Sequence, residues 1–256
     1  MDSESSKTPI SRRGRPRRAP GAPVHRRASA HIENTDVTKA VNALHFASYE
    51  LKRTPNVHVT VHWARVGGEM DPPTRITRLM NRVGTWLRRQ RPAGMSSGDQ
   101  FPVVWLYVRE TASAKGEHLH LFLHVPPAFV ATRAGLSQFE TLFCGWVAAD
   151  GALMDQPKSK AVYVQPKLTP FQQRDMRAYL LKEAGEDVLE NHGIDTHHAA
   201  KATGGLILGK RVAVSRAIDR AGRQTYFKRL GARLPGDEHW LDQHDPARAA
   251  LTVSNA

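Results

Sequence analysis

Cysteine is nearly absent: the 256-residue chain carries one, Cys144. A disulfide framework is thereby excluded, as is a zinc site built from several thiolates. Cys144 itself sits in an apolar run and reads as a core residue. Long hydrophobic runs are missing too. No stretch approaches the roughly 20 apolar residues of a membrane span, and the N-terminus has no hydrophobic signal core. The expectation is a soluble, cytoplasmic protein with no membrane partner. Acidic residues are in short supply: 24 stand against 37 Lys and Arg, giving a formal charge of +13 and a pI ≈ 10.3. Such an excess points to a polyanionic partner; the bland alternative is a basic protein without one. A complete nucleotide-phosphate loop is lacking. Gly204 and Gly209-Lys210 reproduce the spacing GxxxxGK, but Arg211 stands where a Ser or Thr would bind Mg²⁺. Too little sequence follows for an ATPase domain, so no nucleotide cofactor is expected. There are no internal repeats.

The first 30 residues show almost no apolar periodicity. Eight basic residues there oppose only Asp2 and Glu4. With Pro and Ser interspersed, residues 1–35 read as a disordered basic arm. Within it, Arg13-Gly14-Arg15-Pro16-Arg17 is similar to the core of an AT-hook, in which arginines enter the narrow minor groove of A·T-rich DNA. A generic phosphate-binding arm is the alternative. A second basic stretch spans residues 201–233, where nine Lys and Arg, among them Lys210, Arg211 and Arg216, oppose Asp219 alone. This reads as a second DNA-contacting surface or as a solvated face.

Between these stretches the periodicity is clear. Val37, Ala40, Val41, Leu44 and Ala47 recur at helical spacing. Residues 56–63 (NVHVTVHW) alternate as a strand, with Val57, Val59, Val61 and Trp63 on one side. Ile76, Leu79, Met80, Val83 and Leu87 mark a basic amphipathic helix. Strands follow at 103–110 and 118–125. Ser137 with Glu140 predicts a capping box for a helix through Phe143 and Val147. A short strand covers 161–165. Thr169, Pro170 and Gln172 supply an N-cap, an N1 proline and a capping-box partner for the helix through Tyr179. After a leading helix the order is β-α-β-β-α-β, the ferredoxin-like or split βαβ order. The expected fold is α+β: an antiparallel sheet with helices on one face and an open face. Residues 36–185 form this domain, and 186–256 a basic C-terminal extension.

The strand Gly116-Glu117-His118-Leu119-His120-Leu121-Phe122-Leu123-His124-Val125 has two distinct faces. Leu119, Leu121, Leu123 and Val125 lie on one; His118, His120 and His124, with Phe122 among them, lie on the other. Histidines at i and i+2 have Cα atoms roughly 6.6 Å apart and point the same way, which suits two imidazoles converging on one ion. A pair of half-exposed strand histidines is the plain alternative. Four strand residues carry His124 roughly 13 Å from His120, too far for the same ion. Glu110 joins the pair only if it lies opposite His118 across the hairpin; if Arg109 takes that position, Glu110 points away.

Hydrophobe-His-hydrophobe-His around His118-Leu119-His120 resembles motif 2 of the HUH endonucleases, a group that includes rolling-circle replication initiators, relaxases and single-strand transposases. The strand at 56–63 resembles their motif 1, although its histidines depart from the usual Leu and Thr. Tyr179-Leu180-Leu181-Lys182 resembles motif 3, Tyr-x-x-Lys on a helix. Glu110 stands where circular-virus-type initiators place an acidic ligand. The resemblance covers residues 56–185 and implies metal-dependent nicking and rejoining of single-stranded DNA. By that likeness Tyr179 is the nucleophile, Lys182 its cationic neighbour, and His118, His120 and Glu110 the ligands of Mg²⁺ or Mn²⁺. One matching tyrosine favours the single-tyrosine class. A Tyr-x-x-Lys helix that follows the histidine strand, whereas typical relaxases place their tyrosines near the N-terminus, favours a replication initiator acting at an origin hairpin, with unwinding left to a host helicase. Transposition, conjugation, or a non-catalytic nucleic-acid-binding module are the other readings. Among the remaining tyrosines, Tyr226 is the rival nucleophile.

Overall fold

The computed structural model describes residues 28–90, 102–112, 116–155, 160–201 and 204–234. In chain order the elements are β1 (Ala28–Ser29), α1 (Asn34–Tyr49), β2 (Val57–His62), α2 (Pro72–Arg89), β3 (Trp105–Ala112), β4 (Gly116–Leu123), α3 (Arg133–Ala148), β5 (Val162–Pro166), α4 (Pro170–Leu181), α5 (Glu186–Asn191), β6 (Ile207–Leu208), β7 (Val212–Val214) and α6 (Arg220–Arg229). The protein is α+β. Its main sheet has the order β5-β2-β4-β3-β7, with every neighbouring pair antiparallel.

The alternation that makes these segments strands also divides the core. Val57, Val59 and Val61 of β2 and Leu119, Leu121 and Leu123 of β4 are fully buried against Ile76, Leu79 and Val83 of α2 and Phe139, Phe143 and Val147 of α3. Arg82 locks these two helices together. Its guanidinium donates to both carboxylate oxygens of Asp150 at 2.6 and 2.9 Å and to the Trp146 carbonyl at 2.8 Å. Cys144 is half-buried at the margin of this layer.

The opposite face is not open as expected. Val37, Ala40, Val41 and Leu44 of α1, with Met176, Leu180 and Leu181 of α4, pack onto Leu106, Val108 and Phe122 of that face. The sheet is therefore covered on both sides. The physical reason is visible in the residues. The apolar stripe of α1 needs a partner, and Leu106, Val108 and Phe122 provide one beside the histidines. Burial of such side chains is worth about 1.5–3 kcal/mol each, so leaving them all in water is the costlier arrangement.

Two boundaries differ from expectation. Residues 28–35, assigned to the arm, belong to the fold: Ala28–Ser29 pairs with Ile207–Leu208, Ile32 is buried, and α1 starts at Asn34. At the other end, the sheet does not stop at residue 185, because β7 pairs with β3 through Leu106↔Val214 and Val108↔Val212. Phe227 and Tyr226 of α6 then pack against Phe46 of α1.

Helix starts follow side-chain chemistry. The capping box at Thr169 and Gln172 is present as expected. The one expected at Ser137 and Glu140 is not. α3 begins five residues earlier, where the Thr132 hydroxyl accepts from the Gly135 amide at 3.0 Å, and Ser137 lies inside the helix. Replacing Thr132 with Ala is expected to cost about 1 kcal/mol in urea denaturation, whereas Ser137→Ala should change stability by no more than a few tenths of a kcal/mol. Equal losses at the two positions would contradict this N-terminus.

Candidate metal centre and tyrosine

Register decides which side chains meet on the histidine face. β4 pairs with β3 so that Glu110 is opposite His118 and Val108 opposite His120. On its other side β4 pairs with β2, setting His62 opposite His118 and Thr60 opposite His120. Directly opposed residues of antiparallel strands project to the same face, so Glu110, His118, His120, Thr60, His58 and His62 form one group. Arg109 instead pairs with Leu119, and its guanidinium binds Glu117 at 2.6 Å. Two features fix this register. Gly116 opens β4 at φ +64°, a left-handed conformation natural to glycine. At the far end, the Asn56 side chain pairs with both the amide and the carbonyl of Val125, at 2.8 and 2.9 Å.

Within this frame the donors converge. Glu110 Oε2 lies 3.2 Å from His118 Nε2 and 3.2 Å from His120 Nε2. Ligand atoms of the three residues all fall within 4.8 Å of one another. Two ligands each about 2.1 Å from one ion are separated by roughly 3.0 Å at a right angle and roughly 3.4 Å at a tetrahedral one. The spacing thus suits a shared cation. His118 Nδ1 is 3.3 Å from the Gly116 carbonyl, and His120 Nδ1 is 3.2 Å from Thr60 Oγ1 and 3.1 Å from His58 Nε2. Partners on the far ring nitrogen orient a ligand imidazole.

Glu110 is only 1% exposed. Burial alone would raise its pKa, but hydrogen bonds from His118 and His120, with the nearby Lys182 charge, outweigh it and hold the carboxyl well below the usual range. Lys182 donates to Glu110 Oε1; burial lowers the lysine pKa while Glu110 opposes that shift. Burial, then the neighbouring His120, pushes His58 well below its ordinary value, and burial also lowers His120.

Tyr179 and Lys182 share the face of the last turn of α4, three residues apart. The Tyr179 ring meets the His120 ring edge-on at 5.2 Å, and Lys182 Nζ stands 4.1 Å from the tyrosine ring centroid. Lys182 therefore contacts the π-face of Tyr179 and the Glu110 carboxylate. Burial, then the Glu110 charge, pushes the phenol pKa up to about 12. Half-exposed Thr60, His62 and Tyr163 lie on the β5 side of the cluster, which is its more accessible flank.

The other expected residues fall elsewhere. Lys210 and Arg216 are exposed. Arg211, expected on the DNA-facing surface, is buried. Its guanidinium donates to the carbonyls of Ser29 (2.8 Å) and Gly205 and approaches Glu183 at 3.5 Å. Those partners make it a brace between the N-terminal segment, the β6 loop and α4. Arg13, Arg15 and Arg17 lie outside the described residues. His124 is apart from the cluster and donates to the Thr54 carbonyl at 2.9 Å. Tyr226 packs on Phe46. His58 and Thr60 were not foreseen as site residues, although the β2 alternation already set them on the face opposite its valines. Comparison with protein-family models, curated proteins and solved structures finds no match to this chain.

His58 and His120 are held neutral in the fold, so unfolding lets them take up protons. Stability of the metal-free protein should therefore be full above about pH 6.5 and fall as pH drops below it, by up to about 1.4 kcal/mol per pH unit for each proton gained. Glu110, depressed in the fold, adds a further loss below about pH 4.3. Denaturant titrations in chelator at successive pH values check this, and His58→Gln should give a shallower slope between pH 6.5 and 5. A stability independent of pH across that interval would contradict the assignment.

Proposed function

We propose that the protein nicks and rejoins single-stranded DNA through Tyr179, as a replication initiator of a plasmid, phage or similar mobile element. The observation that carries this is the meeting of a two-histidine, one-carboxylate cluster with the Tyr179 ring and Lys182 on one face of the sheet. The strand order β5-β2-β4-β3, built from a β-α-β-β-α-β segment, supports a split βαβ, ferredoxin-like reading of the central domain. The helical cover of the histidine face argues against a module that stacks bases on an open sheet.

Glu110, His118 and His120 would hold a divalent ion, Mg²⁺ or Mn²⁺. The donor set fits one: two imidazole nitrogens and a carboxylate oxygen converge within 4.8 Å of one another, and the Gly116 carbonyl lies within reach of the far nitrogen of His118 to orient its ring. When bound, such an ion polarises the scissile phosphate and offsets developing negative charge. Tyr179 Oη releases its proton and attacks the phosphorus, the bond to the 3′ oxygen breaks, and that oxygen takes up one proton in exchange and leaves as a 3′-OH. A 5′-phosphotyrosine remains, and attack by a 3′-OH reverses the step. With its pKa near 12, Tyr179 is a weak nucleophile at neutral pH and depends on positioned cations. Lys182 supplies one of them and orients Glu110. Exposed Lys201, Lys210 and Arg216 offer contacts to the DNA backbone. A host helicase would unwind the duplex, with no nucleotide cofactor on this chain.

Incubating the protein with a single-stranded DNA library and Mn²⁺ should give a covalent protein–DNA species on a denaturing gel. Tyr179→Phe should abolish it and Tyr226→Phe should not. Lys182→Ala should slow its formation by on the order of 10²-fold. An adduct that forms equally well with Tyr179→Phe would overturn the reading.

A further inference from the structure

A second group of donors lies against the Tyr179 helix, away from the sheet. Asp175 is four residues before Tyr179 on α4, hence on the same side of the helix one turn earlier. The loop after α5 folds back on it. Asp175 Oδ1 is 3.0 Å from His197 Nε2 and 2.8 Å from His198 Nε2, and ligand atoms of all three residues lie within 4.8 Å of one another. The imidazoles lie close together, with centroids 3.8 Å apart and their planes tilted by 43°. One shared cation would satisfy both ring nitrogens and the carboxylate together. A further carboxylate stands behind the set: Asp195 Oδ1 is 2.8 Å from His197 Nδ1. A carboxylate on the far nitrogen is the arrangement that orients metal-binding histidines.

We propose that Asp175, His197 and His198 form a second divalent-metal site, separate from the Glu110 cluster. Two imidazoles and one carboxylate suit Zn²⁺ or a similar borderline ion, with a remaining position for water. His197 is exposed and Asp175 half-exposed, so an ion has access from solvent. His198 is buried, and its ring meets the Tyr179 ring edge-on at 5.3 Å. An ion held there ties the loop to α4 and keeps His198 against the side of Tyr179. Lys201 opposes it. Its Nζ is 2.9 Å from His198 Nδ1, and once His198 gives Nε2 to the metal, Nδ1 carries the hydrogen and the ammonium must turn away. Lys201 is exposed and can do so.

The test is metal binding by the full-length chain, so its outcome is independent of nicking. Zn²⁺ titration against a chromophoric chelator, with Co²⁺ absorption as a second readout, should give two bound equivalents. His197→Ala and Asp175→Asn should each remove one, and His118→Ala the other. Asp195→Asn should weaken the His197 site by about 10-fold or more, and Lys201→Ala should tighten it. Because His197 is exposed, His197→Ala should leave the circular dichroism spectrum unchanged. The proposal is overturned if the wild type binds one equivalent that only His118→Ala removes, or if His197→Ala and Asp175→Asn leave stoichiometry and affinity unaltered.

Discussion

A buried carboxylate constrains this structure more than any other group. Glu110 has almost no contact with solvent, and an ion of that kind is tolerated inside a protein only when charge and hydrogen bonds replace its water. Lys182 provides the charge and His118 and His120 the hydrogen bonds. Those three partners come from two different elements, the hairpin strand β4 and the last turn of α4. Satisfying one oxygen pair therefore fixes a helix against a sheet. It also brings Tyr179, three residues before Lys182, to the edge of the His120 ring. Loss of Lys182 alone would leave the carboxylate uncompensated, the kind of change that costs about 3–5 kcal/mol.

The same contacts tune the phenol in the direction opposite to activation. Burial and the Glu110 charge both raise its pKa. Lys182 sits over the ring and binds the carboxylate, so its positive charge is already engaged. A phosphate entering this group would bring new negative charge beside Lys182 and Glu110 together. In the proposed chemistry the reacting arrangement thus depends on redistributing a tightly compensated set of charges.

Much of the central domain was legible because period-two and period-3.6 patterns are strong there. The valines of β2, the leucines of β4 and the stripe of α2 each specify a face. The histidine face was readable in direction and misread in environment. Phe122, lying among the histidines, signalled that something apolar covers it, and the stripe on α1 was the cover. Whether Glu110 or Arg109 opposes His118 turns on a one-residue register that alternation does not carry; the hairpin geometry at Gly116 and the Asn56 clamp decide it. Counting charge along residues 201–233 gave Arg211 to solvent, but a count has no information on which guanidinium finds buried carbonyls. The joining of Asp175 to His197 and His198 depends on how a loop folds back over a helix, for which local sequence offers no period.

The pairing of Ala28–Ser29 with Ile207–Leu208, together with β7 on the edge of β3, has a consequence for how the fold is reached. β1 pairs with a strand near the other end of the described chain and β7 returns to a strand far earlier in sequence, so these contacts are highly non-local and their loop-closure entropy is met late. During synthesis the hairpin bearing His118 and His120 emerges well before the segment that completes its sheet and supplies Arg211 to brace Glu183. A nascent chain halted near residue 185 would hold every residue of the candidate centre, yet β3 would lack its edge partner. That chain would also lack Val212, which packs in the same apolar layer as Phe122 and Leu180 beside the tyrosine.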